Sequence, residues 1–133
     1  TYTNLINKAA ISGASYVGGI FGNLNNSIGS SNSYIITIAE CSNSGKISGT
    51  DYVGGLFGRL YVYNIYGSDE ASMTANQLKN TGDVSGKNIV GGIAGYVYCE
   101  LKSTMKDCVN SGKVTGESDV AELVAQYTNV TIS

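Results

Sequence analysis

A fourfold internal repeat constrains this chain more than any other feature. A Ser/Thr-Gly pair stands at Ser12-Gly13, Ser48-Gly49, Ser85-Gly86 and Thr115-Gly116, at intervals of 36, 37 and 30 residues. Four residues after each of these glycines comes a valine: Val17, Val53, Val90, Val120. In the first three copies a glycine pair follows (Gly18-Gly19, Gly54-Gly55, Gly91-Gly92), then two apolar residues, then Gly22, Gly58 or Gly95. Upstream, Asn7, Asn43, Asn80 and Asn110 share a column. Leu5, Cys41, Leu78 and Cys108 precede them by two residues, and Ile11, Ile47, Val84 and Val114 follow by four. Residues 1–133 therefore form a single repeat domain, with units at about 3–38, 39–75, 76–105 and 106–133. Units of this kind cannot bury an apolar face alone and must stack on their neighbours.

The stacked elements are expected to be strands. No segment carries a convincing helical period, whereas short runs of Val, Ile, Tyr, Thr and Leu alternate with Gly and Asn. A run of about three residues is not stable alone. Set ~4.8 Å from an equivalent run, it gains a backbone ladder and buries every second side chain. The predicted fold is all-β: a parallel β-solenoid, β-helix-like, built from four tandem repeats. A right-handed path follows from the bias of parallel crossovers. Three inward stacks are expected: Leu5/Cys41/Leu78/Cys108, Ile11/Ile47/Val84/Val114 and Ile20/Leu56/Ile93/Leu123. The glycines mark corners with positive φ or places where another backbone comes close. The asparagines are expected to bond the local backbone and one another between repeats. Length varies only within Gly22–Glu40, Gly58–Gln77 and Gly95–Asp107, which predicts loops along one side. The fourth copy, with Ala121-Glu122-Leu123-Val124-Ala125 in place of the glycine block, reads as a worn end or a cap.

The block Val53-Gly54-Gly55-Leu56-Phe57-Gly58, preceded by Cys41-Ser42-Asn43-Ser44-Gly45-Lys46-Ile47-Ser48-Gly49, resembles the GLUG-motif repeat. The first and third copies match nearly as well. The fourth keeps Asn110-Ser111-Gly112-Lys113-Val114-Thr115-Gly116 and loses the core glycines. Such repeats belong to large bacterial cell-surface proteins, including the non-catalytic regions of streptococcal IgA-cleaving metalloproteases. The resemblance implies an extracellular or cell-wall setting, a non-catalytic role as structural stalk or adhesive surface, and no catalytic residues. The chain opens Thr1-Tyr2-Thr3 inside a repeat, so it is expected to be a fragment of a larger protein.

Composition narrows the chemistry. The chain has no His, so neither Ser-His-Asp nor Cys-His catalysis can be assembled from it. No enzyme activity and no cofactor are expected. A polysaccharide-active carboxylate pair on a β-helix face is the weakest alternative. Charged residues are only 14% of the chain and the net charge is −2, so no basic footprint for nucleic acid exists. No apolar run approaches the ~18 residues of a membrane span. No metal site is expected; the adjacent Asp69-Glu70 is at most a weak calcium site. Cys41 and Cys108 share a column with leucines and read as buried thiols, two repeat steps and thus ~9.6 Å apart, too far for a disulfide. Cys99 is left without a role. The candidate ligand-binding residues are Tyr61, Tyr63, Tyr66, Tyr96 and Tyr98, with Arg59 beside them. In register, Tyr61 lies against Tyr98 and Arg59 against Tyr96, an aromatic strip for a glycan or a host surface protein. The plainer reading is that tyrosine is simply a good exposed strand residue.

Overall fold

The computed structural model describes residues 1–28, 34–64 and 71–133. The described regular elements are all β-strands. The first repeat holds β1 (Tyr2–Thr3), β2 (Ile6–Asn7), β3 (Ile11–Ser12), β4 (Ser15–Gly18), β5 (Phe21–Ile28) and β6 (Tyr34–Ala39). The second holds β7 (Ser42–Asn43), β8 (Ile47–Ser48), β9 (Asp51–Gly54), β10 (Phe57–Asn64) and β11 (Ala71–Asn76). The third holds β12 (Lys79–Asn80), β13 (Val84–Ser85), β14 (Asn88–Gly91) and the long β15 (Ala94–Lys106). The fourth holds β16 (Val109–Asn110), β17 (Val114–Thr115), β18 (Ser118–Ala121) and β19 (Val124–Ile132).

Every described ladder is parallel; β1 pairs with the end of β6, and every other pairing joins equivalent strands one repeat apart. Three narrow sheets run β2-β7-β12-β16, β3-β8-β13-β17 and β4-β9-β14-β18. Their registers match the sequence columns. Asn7 lies opposite Asn43, Asn43 opposite Asn80, and Asn80 opposite Asn110. Ile11, Ile47, Val84 and Val114 line up likewise. The fourth sheet is wide, with order β1-β6-β11-β15-β10-β5 and β19 also on β15. The strand β15 unites two ladders. Its first half continues β5 and β10, and its second half continues β6 and β11.

The wide sheet corrects one expectation. The stretches Gly22–Glu40, Gly58–Gln77 and Gly95–Asp107, read above as loops, are mostly strand. Alternation carries them: Ile36 and Ile38 in β6, Ala71, Met73 and Ala75 in β11, and Ser103 and Met105 in β15 all point inward and are buried. The inward residues are only every second one, and polar outward residues dilute the signal. Length variation is confined to the joins between β5 and β6 and between β10 and β11, and to a register shift of β15 against β19, between Tyr98 and Ser103 of β15. Polar side chains satisfy the backbone at that shift. Met73 N donates to Ser103 Oγ at 2.8 Å, and Asn129 Nδ2 donates to the carbonyls of Cys99 and Glu100 at 3.0 Å each.

The glycines are not positive-φ corners. None of the sixteen described glycines lies in the left-handed region. That conformation falls to non-glycine residues in two columns, Asn4/Glu40/Gln77/Asp107 and Tyr16/Tyr52/Ile89/Asp119, and to Asn129, all at φ 51 to 57°. Each costs on the order of 1 kcal/mol or more, offset by the ladders that fix the corner. The glycine columns answer to close approach. A Cβ on Gly55 would meet Gly92 O and, at 2.5 Å, Asn80 Cγ, both in the following repeat. A Cβ on Gly82 would meet Gly45 O and, at 2.7 Å, Gly45 C, in the preceding repeat.

This directionality bears on two departures from the glycine columns, Glu122 and Ala9, and leaves Ala125 without an explanation, since its counterparts Gly58 and Gly95 are tight toward the preceding repeat. In the column Gly19/Gly55/Gly92, the face toward the following repeat must be bare, and the fourth copy has Glu122, exposed, with no following repeat in this chain. In the column Gly45/Gly82/Gly112, the face toward the preceding repeat must be bare, and the first copy has Ala9.

The interior holds two apolar clusters. The larger lies inside the wide sheet and includes Ile38, Cys41, Leu56, Phe57, Leu60, Leu78, Ile93 and Met105. The smaller is Val17, Ile47, Val53, Val84 and Val90. In all three predicted stacks the two middle members are fully buried and the end members half-buried. Beside them runs a polar spine. Asn7 Nδ2 donates to Asn43 Oδ1 at 2.7 Å, Asn43 to Asn80 at 2.8 Å, and Asn80 to Asn110 at 2.8 Å. The second Nδ2 proton of each goes to a carbonyl two residues on, at Ala9, Gly45, Gly82 or Gly112. Asn43 and Asn80 are buried, and this closed network is what makes burying a carboxamide tolerable.

Candidate functional site

The outward face of β10 and β15 carries the candidate residues. Strand alternation sorts them. In β10, Phe57, Leu60 and Val62 face the core while Arg59, Tyr61 and Tyr63 stay half-exposed. In β15, Val97 and Cys99 are buried while Tyr96 and Tyr98 stay half-exposed. The pairing is as expected from the repeat, with Arg59 opposite Tyr96 and Tyr61 opposite Tyr98. The flanking ladder positions complete two outward columns, Asn23/Arg59/Tyr96/Gln126 and Asn25/Tyr61/Tyr98/Thr128. Tyr66 lies outside the described residues.

The rings form two groups, bridged by Arg59. Tyr61 and Tyr98 stack with centroids 4.5 Å apart and planes at 15°. Tyr63 meets Tyr61 edge-on at 4.9 Å. Tyr16 and Tyr52, from the adjacent narrow sheet, stack at 5.0 Å, and Tyr52 meets Tyr96 edge-on at 6.0 Å. Tyr16 and Tyr52 were absent from the sequence-based set. The repeat alignment held the signal, because both occupy the column before Val17 and Val53. What it lacked was the left-handed backbone at both residues, part of the corner that swings this column toward the wide sheet.

Arg59 sits in the middle of the rings. Its Cζ lies 4.8 Å from the Tyr61 centroid and 5.5 Å from that of Tyr16. Nη1 donates to Tyr16 Oη at 3.5 Å, a long bond, and Nε is buried without a hydrogen-bond partner. No carboxylate among the described residues forms an ion pair with it. The guanidinium is held by cation–π contact, worth ~0.5–2 kcal/mol per ring depending on desolvation. Tyr96 feels both neighbours: burial, then the Tyr61 hydroxyl, push its phenol pKa up, and the Arg59 charge partly offsets this.

Cys41, Cys99 and Cys108 are free thiols. Cys99 faces the core from β15 and lies opposite Val62. Burial pushes the thiols of Cys99 and Cys108 up; a Ser103 hydrogen bond partly offsets it at Cys99, and the Leu78 backbone does so at Cys108. Among the described residues no three His, Cys, Asp or Glu side chains group as a metal site. Asp69-Glu70 lies outside the described residues. No described helix is long and apolar enough to cross a membrane. No family model, curated protein or solved structure matches the chain.

Proposed function

We propose that the chain is a non-catalytic, glycan-binding module of an extracellular or cell-wall protein. In this reading it is a right-handed parallel β-solenoid of four GLUG-like repeats, and the tyrosine face of the wide sheet is its binding surface. The observation that carries the proposal is that face: six rings, one guanidinium and flanking amides, set in register on a chain of low charge.

Magnitudes favour a surface over a stalk. One repeat of 30 to 37 residues advances the stack by one strand spacing, ~4.8 Å. The same residues in a helix would reach ~45–55 Å. A chain selected for length would not spend its residues this way. What each repeat does add is breadth, one more row of outward side chains on a fixed lattice. Tyrosine suits such rows, because its ring offers contact area at low entropic cost and its hydroxyl still bonds.

The test is an oligosaccharide array probed with the chain and with the double variant Tyr61→Ala/Tyr98→Ala. The proposal expects the parent to bind a subset of glycans and the variant to lose them at unchanged fold. Binding to no glycan, or equal binding by the variant, contradicts it.

A further inference from the structure

Glu122 stands where the asparagine spine would continue. A Cβ on Gly19 would meet Gly55 O at 2.5 Å and Asn43 Oδ1 at 2.7 Å. One on Gly55 would meet Gly92 O and, at 2.5 Å, Asn80 Cγ; one on Gly92 would meet Glu122 O and, at 2.5 Å, Asn110 Cγ. Each time the obstacle is the backbone and the spine asparagine of the following repeat. Glu122 is the fourth member of this column, and its exposed side chain takes the space that those groups would need. We propose that the fourth repeat is a stop: Ala121, Glu122 and Tyr127 close the C-terminal face of the stack to a further repeat of this kind.

Two more columns change at the same level. Gly18, Gly54 and Gly91 are tight against their own turn and against the following repeat. A Cβ on Gly54 would meet Ala94 Cα at 2.7 Å and Gly95 N at 2.9 Å, and one on Gly91 would meet Leu123 O at 2.9 Å. The fourth member of that column is Ala121. In the wide sheet, the column Leu24/Leu60/Val97 ends in Tyr127. Leu60 and Val97 are buried, whereas Tyr127 is 53% exposed. A repeat laid on this level would bury a phenol hydroxyl where the inner levels hold only hydrocarbon, and a buried hydroxyl needs a hydrogen-bond partner. Ala125 takes no part in the stop, because its counterparts Gly58 and Gly95 are tight toward the preceding repeat.

Other features of the same face favour addition, which is why a stop matters there. The edge strand β19 runs nine residues without a charge, a proline or a glycine, the composition that pairs most readily with a further strand. Asn110 accepts from Asn80 and donates to the Gly112 carbonyl, which leaves its second Nδ2 proton toward the place of a fifth asparagine. Backbone and spine are thus ready for a fifth repeat, and three side chains stand against it.

The experiment extends the full chain after Ser133 by a second copy of residues 107–133. Ile132 pairs with Met105, so residue 134 falls opposite Asp107 and the added repeat is in register. This segment already stacks on a level carrying Gly91, Gly92 and Val97, so it can fold on a suitable neighbour. The extension is placed on the native junction and on Ala121→Gly/Glu122→Gly/Tyr127→Val, which gives the fourth level the residues of the third. Amide hydrogen exchange of the added residues is the readout, and melting curves of both unextended chains check that the first four repeats stay folded. On the native junction the added residues should exchange as an unfolded chain does. On the triple variant they should exchange ~100-fold more slowly or better, and the Asn110 side-chain amide should gain protection. Protection of the extension on the native junction overturns the stop. Equal, unprotected exchange on both junctions overturns its assignment to these three residues.

Discussion

The inward side of the narrow sheets and the outer face of the wide sheet use the same repeat in opposite ways. In the narrow sheets the outward columns are mixed, as in Ile6/Ser42/Lys79/Val109, whereas the inward ones are uniform: four asparagines, four branched aliphatics, glycine wherever a neighbouring backbone touches. Each position there is dictated by the residue above and below it. On the outer face of the wide sheet, columns are mixed, as in Asn23/Arg59/Tyr96/Gln126, because solvent lies on one side and nothing enforces identity. Uniform columns therefore mark what holds the stack together. Mixed columns mark where the chain is free to carry function.

That contrast predicts a graded series of stabilities. The largest loss should come from Asn80→Ala. It removes the acceptor of one Asn43 amide proton and the side-chain donor to the Gly82 carbonyl, at ~1–3 kcal/mol for each buried group left unsatisfied, and costs Asn110 Oδ1 one of its two donors, the Gly112 N–H remaining. Relaxation will recover part, so ~3–5 kcal/mol by urea denaturation is the expected cost. Asn7→Ala, at the half-buried end of the same spine, should cost about 1 kcal/mol. Equal costs for the two would break the comparison.

Next comes Gly55→Ala, expected to cost ~2–4 kcal/mol, as overpacking against backbone does. The reverse change at the edge, Ala9→Gly, removes no clash and should cost only the ~0.5–1 kcal/mol of added chain entropy. If Gly55→Ala were neutral, the close approach of the repeats would be wrong.

On the outer face, Tyr61→Ala and Tyr98→Ala should each cost about 1 kcal/mol, the scale of one aromatic pair. A loss as large as that of Asn80→Ala would make the tyrosines core and remove the case for a binding face.

The smallest effect is from the thiols. Burial raises the folded-state pKa of Cys99 and Cys108. Their contribution is fully present below the unfolded thiol pKa of ~8.5 and fades as pH rises from there through the raised folded values. Stability should thus be flat from about pH 7 to 8 and decline above, as followed by melting temperature. Reduced and oxidised samples should melt alike, since the three thiols are free.

Uniform columns were also the legible ones. The registers of Asn7 to Asn110 and of Ile11 to Val114 followed from spacing alone, because stacking turns a sequence column into a physical contact. Strands β5, β6 and β11 were not legible. Their inward residues are few and varied, and Ala71, Ser103 and Ala75 do not read as a core without the partner strand. The site was half legible. Tyr61, Tyr98, Arg59 and Tyr96 came from register, whereas Tyr16 and Tyr52 arrive by way of a left-handed corner that no local residue preference announces. The glycines were misread in one respect for a related reason: glycine permits positive φ, but here Tyr16, Glu40 and Ile89 adopt it while glycine keeps the backbone bare.

The central claim is that successive repeats stack in register through the asparagine spine. Side-chain amide hydrogen exchange, followed by NMR, tests it most directly. The Nδ2 protons of Asn43 and Asn80 should be protected by orders of magnitude relative to those of exposed Asn23 and Asn25, and should show cross-peaks to Asn80 and Asn110 respectively. Exchange of Asn43 and Asn80 at the rate of Asn23 would contradict the stack.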